Sequence, residues 1–248
     1  MNIFACVSHV PDTTTKVKVG ADEKQIDQEG VTYILNPYDE FGVETALQLQ
    51  EQHGGEVTVV CLGPDVVKET IRKGLAMGAE KGIHIKDDTV RDSYGTAKAI
   101  ASALKDKSPD VVVCGRQSID YDGWQMASLL GEMLSIPSIS VVSKLEIADG
   151  AVKAERDIEG GKETVETTLP VVVSVQKGIY SPRYPKLQGI MKAKKKPIEE
   201  VTPEPWENRV EVTKLEKPPV KSAGKIVGED ASAAKELVRL LHEEAKVI

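Results

Sequence analysis

The sequence predicts an α/β fold: a doubly wound, mainly parallel sheet with added antiparallel strands and an extended C-terminal arm ending in a helix. Three observations predict it. The runs IFAC, VTVVC and DVVVC are short and continuously apolar, the pattern of strands covered on both faces. Segments of helical period separate them, which implies parallel βαβ units. After Pro137 the helical segments stop and closely spaced turn signals take over.

Taken in order, Met1–Val7 reads as a buried strand. A helix follows over Asn36–Gln52, with Asn36 as N-cap, Pro37 as first helical residue, an apolar stripe of Val43, Ala46, Leu47 and Leu49, and Gly54-Gly55 as its end. Val57–Leu62 is a strand. Gly63-Pro64 opens a helix to about Met77, Gly82–Lys86 is a short strand, and Ser93–Lys107 is a helix with Ala97, Ile100, Ala101 and Leu104 on one face. Asp110–Cys114 and Asp122–Leu134 repeat the strand–helix unit. Ser138–Ile147, Ala151–Ile158, Glu163–Leu169 and Val171–Gln176 are strands, with Asp149-Gly150 a hairpin signal. Five prolines punctuate Pro197–Glu229, so this stretch is extended. Asp230–Val247 is a helix capped by Asp230, and its apolar positions Ala234, Leu237, Val238, Leu241 and Ala245 need cover from its own domain or from a partner. The division is therefore 1–196, an α/β domain, and 197–248, an arm with its helix.

With 248 residues, 40% apolar and 29% charged, the chain can bury a core. No apolar run reaches the ~20 residues of a membrane helix, and MNIFACVSHV has neither secretory nor transit character, so a cytoplasmic, non-inserted protein is expected. A net charge of −7 and two Phe and two Trp argue against a general nucleic-acid binder. Cys6, Cys61 and Cys114 lie near the ends of apolar runs and read as buried, reduced residues. His9, His53, His84 and His242 are scattered and suggest no metal set. With no metal cluster and no acid–base pair, an active site of its own is not expected.

Neither G-x-G-x-x-G nor a P-loop is present. Ligands of open α/β sheets still bind beyond the carboxyl ends of strands, which here means Val7–Pro11, Asn36–Asp39, Leu62–Pro64 and Gly115–Gln125. In CGRQSIDYDGWQMA, Asp122 and Gln125 stand in capping-box relation, leaving the N–H groups of Gly123, Trp124 and Gln125 to meet a phosphate. An ordinary capped loop fits the same residues. Ser181–Pro197 holds six basic residues, no acidic ones, and apolar Leu187, Ile190 and Met191. This suits docking to an acidic protein surface.

The segments NPYDEFGVETALQL, CLGPDVVKETIRKGLAMGAEKGIHI, CGRQSIDYDGWQ and PRYPKLQGIMKAKKKPIE, in this order over nearly the whole chain, resemble the beta subunits of electron transfer flavoproteins. The resemblance implies an adenine-nucleotide-hydrolase-like fold and a heterodimer with an alpha subunit that holds most of the FAD. It implies an electron carrier serving acyl-CoA dehydrogenase-type donors, as in fatty acid oxidation, and a quinone-linked oxidoreductase as acceptor. It implies AMP in this subunit, at Cys6, Asn36, Pro37, Tyr38, Asp39, Leu62, Gly115, Arg116, Gln117, Ser118, Ile119, Asp120, Tyr121, Asp122, Gly123, Trp124, Gln125 and Met126. Leu187 falls at the apolar anchor of a recognition loop spanning Arg183 to Lys196, with Tyr184, Ile190, Met191, Lys192, Lys194 and Lys195. Asp157 falls where the family has a carboxylate facing the FAD domain, and the C-terminal helix where an arm packs on the alpha subunit. The chain departs from the pattern at Ser8, Trp124 and Met126-Ala127. NPYDEFGVETALQL and VPDT are also similar to a bifurcating branch with a second FAD in place of AMP, whereas IMKAKKKPIE is similar to the branch linked to acyl-CoA dehydrogenases. A stand-alone stress-protein-type nucleotide-binding regulator is the alternative from another class; it has no use for the arm or the basic loop.

Overall fold

The computed structural model describes residues 1–221 and 223–248; Ser222, within the expected arm, lies outside the described residues. The strands are β1 (Asn2–Cys6), β2 (His9–Pro11), β3 (Tyr33–Leu35), β4 (Glu56–Gly63), β5 (Lys81–Lys86), β6 (Val111–Gly115), β7 (Ser138–Ala148), β8 (Ala151–Ile158), β9 (Gly161–Thr168), β10 (Val171–Val175) and β11 (Ile198–Val201). The helices are α1 (Pro37–His53), α2 (Lys68–Met77), α3 (Ser93–Leu104), α4 (Met126–Leu134), α5 (Leu187–Ala193) and α6 (Ala234–Arg239). Among the described residues nine strands form one sheet in the order β11-β5-β4-β1-β6-β10-β7-β8-β9, while β2 and β3 pair separately. All neighbours from β11 to β7 are parallel; β7, β8 and β9 are antiparallel.

The apolar strands bury both faces, as their lack of alternation requires. On one face Ile3, Ala5, Val57, Val59, Val111 and Val113 meet Val43 and Leu47 of α1 and Ile71 and Leu75 of α2. On the other, Phe4, Val60, Val112 and Val172 meet Ala97, Ile100 and Leu104 of α3 and Leu130 of α4. Side chains of this kind stabilise by about 1.5–3 kcal/mol each when fully buried. Asp149 and Gly150 both take positive φ between β7 and β8, the backbone of a two-residue hairpin turn that matches strand twist.

Four expectations need correction. The helix expected from Asp122 starts at Met126, with Gln125 at its N-cap and no side-chain cap. Asp122 is in the left-handed region instead, and its carboxylate accepts from the Gln117 amide, so the capping box does not form. Asn36 occupies the N-cap position of α1 without capping it. The C-terminal helix is capped by Asp230, but regular α-helix covers only Ala234–Arg239 before wider turns over Leu240–Glu244. Residues Ile198–Val201, on the arm side of the expected division at 196/197, form the edge strand beside β5.

Beyond β11 the arm returns to the domain. Trp206 stacks under the Arg91 guanidinium at 3.0 Å. The Asp92 carboxylate accepts from the N–H of Val210 at 3.0 Å, while its other oxygen caps α3 through Gly95 N–H at 2.7 Å.

Candidate functional site

The chain runs from β1 outward to β4 and β5, then crosses back to β6 on the other side of β1. The sheet's switch point therefore lies between the carboxyl ends of β1 and β6, where open α/β sheets bind ligands. The segments after these two strands meet there. Asp39, in the first turn of α1, is buried and accepts from Ser8 N–H at 2.7 Å and from Gly115 N–H at 3.1 Å. One carboxylate thus ties the exit of β1, the start of α1 and the exit of β6. Burial pushes its pKa up to about 7 against the pull of these N–H donors. Gly115 is required by close approach: a Cβ there would stand 2.6 Å from the Tyr38 carbonyl carbon and 2.8 Å from the Asp39 nitrogen.

Asn36 is fully buried; its amide donates to the Gln117 carbonyl at 2.8 Å and its oxygen accepts from Ile119 N–H at 3.3 Å. The side chain that the sequence offered as a helix cap staples the Gly115–Gln125 loop to α1. Arg116 is the cation of this loop. Its guanidinium donates to Gln117 Oε1 at 2.7 Å, Tyr38 OH at 3.0 Å and Gln176 Oε1 at 3.2 Å, and lies over the rings of Tyr38 and Trp124. Gln176 in turn donates to Asp157 Oδ2 at 3.3 Å. A polar chain therefore links Asp157 to Arg116. Gln176 was not singled out from the sequence, although its place just past β10, at a strand's carboxyl end, was a usable signal.

Tyr121 and Trp124 are exposed at the rim, Leu62 is partly buried at the end of β4, and Asp120, Asp122 and Gln125 face solvent. Cys6, Cys61 and Cys114 are buried and free. Burial pushes the Cys61 thiol up, and a hydrogen bond with Cys6 together with burial does the same to Cys114, so these thiols stay neutral. Arg116 brings a cation to the switch point, suited to an anionic oxygen, and its loop leads into the start of α4 at Met126.

The basic segment lies elsewhere. Leu187 begins α5 and is 75% exposed; Tyr184 is 94% exposed, and Ile190 and Met191 also face solvent. Two of its cations serve the fold. Arg183 forms a forked pair with Glu44, and Lys196 donates to the carbonyls of Leu75, Gly78 and Ala79 at the end of α2. Among the described residues no helix is long and apolar enough to cross a membrane.

An electron transfer flavoprotein domain model matches residues 24–206. The chain is 41% identical to the electron transfer flavoprotein subunit beta of Bacillus subtilis, with all of both chains covered. It is 35% identical to that of Syntrophomonas wolfei, covering all of this chain and 98% of the relative, and 34% identical to that of Dictyostelium discoideum, covering 90% and 92%. The chain belongs to the electron transfer flavoprotein beta-subunit family.

Proposed function

We propose that this chain is the nucleotide-holding subunit of a heterodimeric electron transfer flavoprotein, binding AMP at the switch point between β1 and β6. The observation that supports this is the convergence of Asp39, Asn36, Gly115 and Arg116 there. Arg116 and the start of α4 supply positive potential for a phosphate, and Gly115 lets the backbone pass close by. FAD, when bound mainly by an alpha subunit, supplies the uptake and release of single electrons. This chain's part is to hold the nucleotide, to form a rigid platform, and to present Leu187 within a cationic rim to acyl-CoA dehydrogenase-type donors. Transfer onward to a quinone-linked oxidoreductase completes the reading. In this reading Asp157, joined to Arg116 through Gln176, is the carboxylate that faces the FAD domain.

A second reading, a bifurcating subunit with FAD in place of AMP, is favoured by the NPYDEFGVETALQL and VPDT segments. Both are tested by purifying the chain with its partner subunit, extracting the bound nucleotides and quantifying them. One FAD and one AMP per heterodimer is expected. Two FAD and no AMP establishes the second reading. A colourless homo-oligomer that binds ATP overturns both and supports a stand-alone regulator.

A further inference from the structure

His84 lies on β5 directly opposite Glu200 on the edge strand β11, and Asp65 stands in the turn after β4. His84 is fully buried. Its Nε2 is 2.8 Å from the Gly63 carbonyl oxygen, an acceptor, so Nε2 carries the hydrogen. In the neutral ring Nδ1 is then a bare lone pair. Among the described residues it has no hydrogen-bond partner, and it faces Glu200 Oε2 at 3.7 Å. That separation is too long for a hydrogen bond. A lone pair aimed at a carboxylate is unfavourable unless a cation lies between them. Ligand atoms of Asp65, His84 and Glu200 all lie within 4.8 Å of one another.

We propose that Asp65, His84 and Glu200 bind one divalent cation of the zinc class. Zinc takes nitrogen and carboxylate oxygen at about 2.0–2.2 Å, which sets ligands about 3.4 Å apart in a tetrahedron. The 3.7 Å gap is close to that spacing. The imidazole donor selects zinc, cobalt or nickel over magnesium and calcium, which prefer oxygen. The bond from Nε2 to Gly63 is the outer contact that orients a ligating histidine. Asp65 and Glu200 now accept from exposed ammonium groups: Lys68 at 2.6 and 2.9 Å, and Lys86 at 2.8 Å on Asp65. These cations stand in for part of the metal's charge and swing into solvent when it binds. The metal would clamp the four-residue β11, root of the arm, to the sheet.

The test is zinc and cobalt titration of the full chain purified with its partner subunit, followed by calorimetry and by cobalt absorption. One ion per chain is expected, with magnesium failing to compete. Because His84 is in the core, the deciding variants are on the surface. Glu200→Gln and Asp65→Asn should each weaken zinc binding by at least about tenfold, and Lys68→Gln should tighten it. Absence of stoichiometric zinc, or zinc binding unaltered by these three changes, overturns the proposal.

Discussion

Arg183→Ala removes the guanidinium that neutralises Glu44, a carboxylate only 2% exposed on α1. Glu44 receives Arg183 Nε and Nη2, each at 2.8 Å, the Arg183 backbone N–H at 3.1 Å and Gln48 Nε2 at 2.8 Å. Arg183 also reaches Glu51 at 2.6 Å. At an effective dielectric of about 20, the 2.8 Å pair attracts by about 6 kcal/mol before desolvation is subtracted. Breaking a buried pair by removing one partner costs about 3–5 kcal/mol, because the other charge is stranded. The guanidinium is one-third exposed, which lets water screen it and places the expected loss at the low end, about 3 kcal/mol. The assay is urea unfolding at several pH values. Burial pushes the Glu44 carboxyl up, but hydrogen bonds from Arg183 and Gln48 together outweigh it and hold the group below its usual 4.5. A depressed folded pKa gives stability that is fully present above the unfolded value and is lost as pH falls through the folded one. The gap between wild type and variant should therefore be full at pH 7 and shrink below about pH 4.5. Arg183→Met with Glu44→Leu should recover most of the loss, since apolar replacement of both partners leaves no buried charge. A loss under about 1 kcal/mol at pH 7, or a gap independent of pH, would show that Arg183 does not neutralise a stranded Glu44.

Asp39→Asn tests the knot at the switch point. The folded pKa of about 7 lies above the unfolded 3.8, so the contribution of Asp39 to stability is fully present below pH 4 and is lost as pH rises to about 7. The variant cannot titrate and should lose that slope; equal slopes in thermal melts from pH 4 to 7 would count against it. Gly115→Ala drives a methyl into the backbone of Tyr38 and Asp39, for a cost of about 1–3 kcal/mol and reduced nucleotide content on purification. Retention of both melting temperature and nucleotide would show that the close approach is not required. Leu187→Ala removes a solvent-facing side chain, so stability should stay within about 0.5 kcal/mol while stopped-flow reduction by a dehydrogenase donor slows. Unchanged transfer kinetics would remove Leu187 from the proposed docking role.

The sheet was legible because its strands are continuous apolar runs, and continuity is a local property. What escaped was decided by distant residues. Asn36 has the chemistry of an N-cap, but the loop after β6 arrives with a free carbonyl and N–H and takes both ends of the amide. Asp122 has the spacing of a capping box, yet the Gln117 amide reaches it and the helix begins four residues later. The segment Ile198–Val201 follows a proline and contains two glutamates, so it reads as arm; edge strands tolerate that composition because one side faces solvent. His84 looked isolated because its neighbours are distant in sequence, Asp65 in the turn after β4 and Glu200 within β11.

The basic segment likewise divides between fold and surface. All six of its cations read as part of a docking surface, but Arg183 neutralises Glu44 and Lys196 closes the end of α2. Gly189 of α5 sits so near the Ala76 carbonyl oxygen that a Cβ would fall 2.6 Å from it. The segment is thus fastened at Arg183, at Gly189 and at Lys196. What remains outward is Lys186, Lys192, Lys194 and Lys195 around Leu187, Ile190 and Met191. A preordered anchor costs little conformational entropy on binding, and a ring of four lysines steers an acidic partner without fixing one geometry. Fold stability and the proposed recognition are therefore assigned to different residues of one short stretch, so a surface lysine and Arg183 should behave as different kinds of position although both carry the same charge.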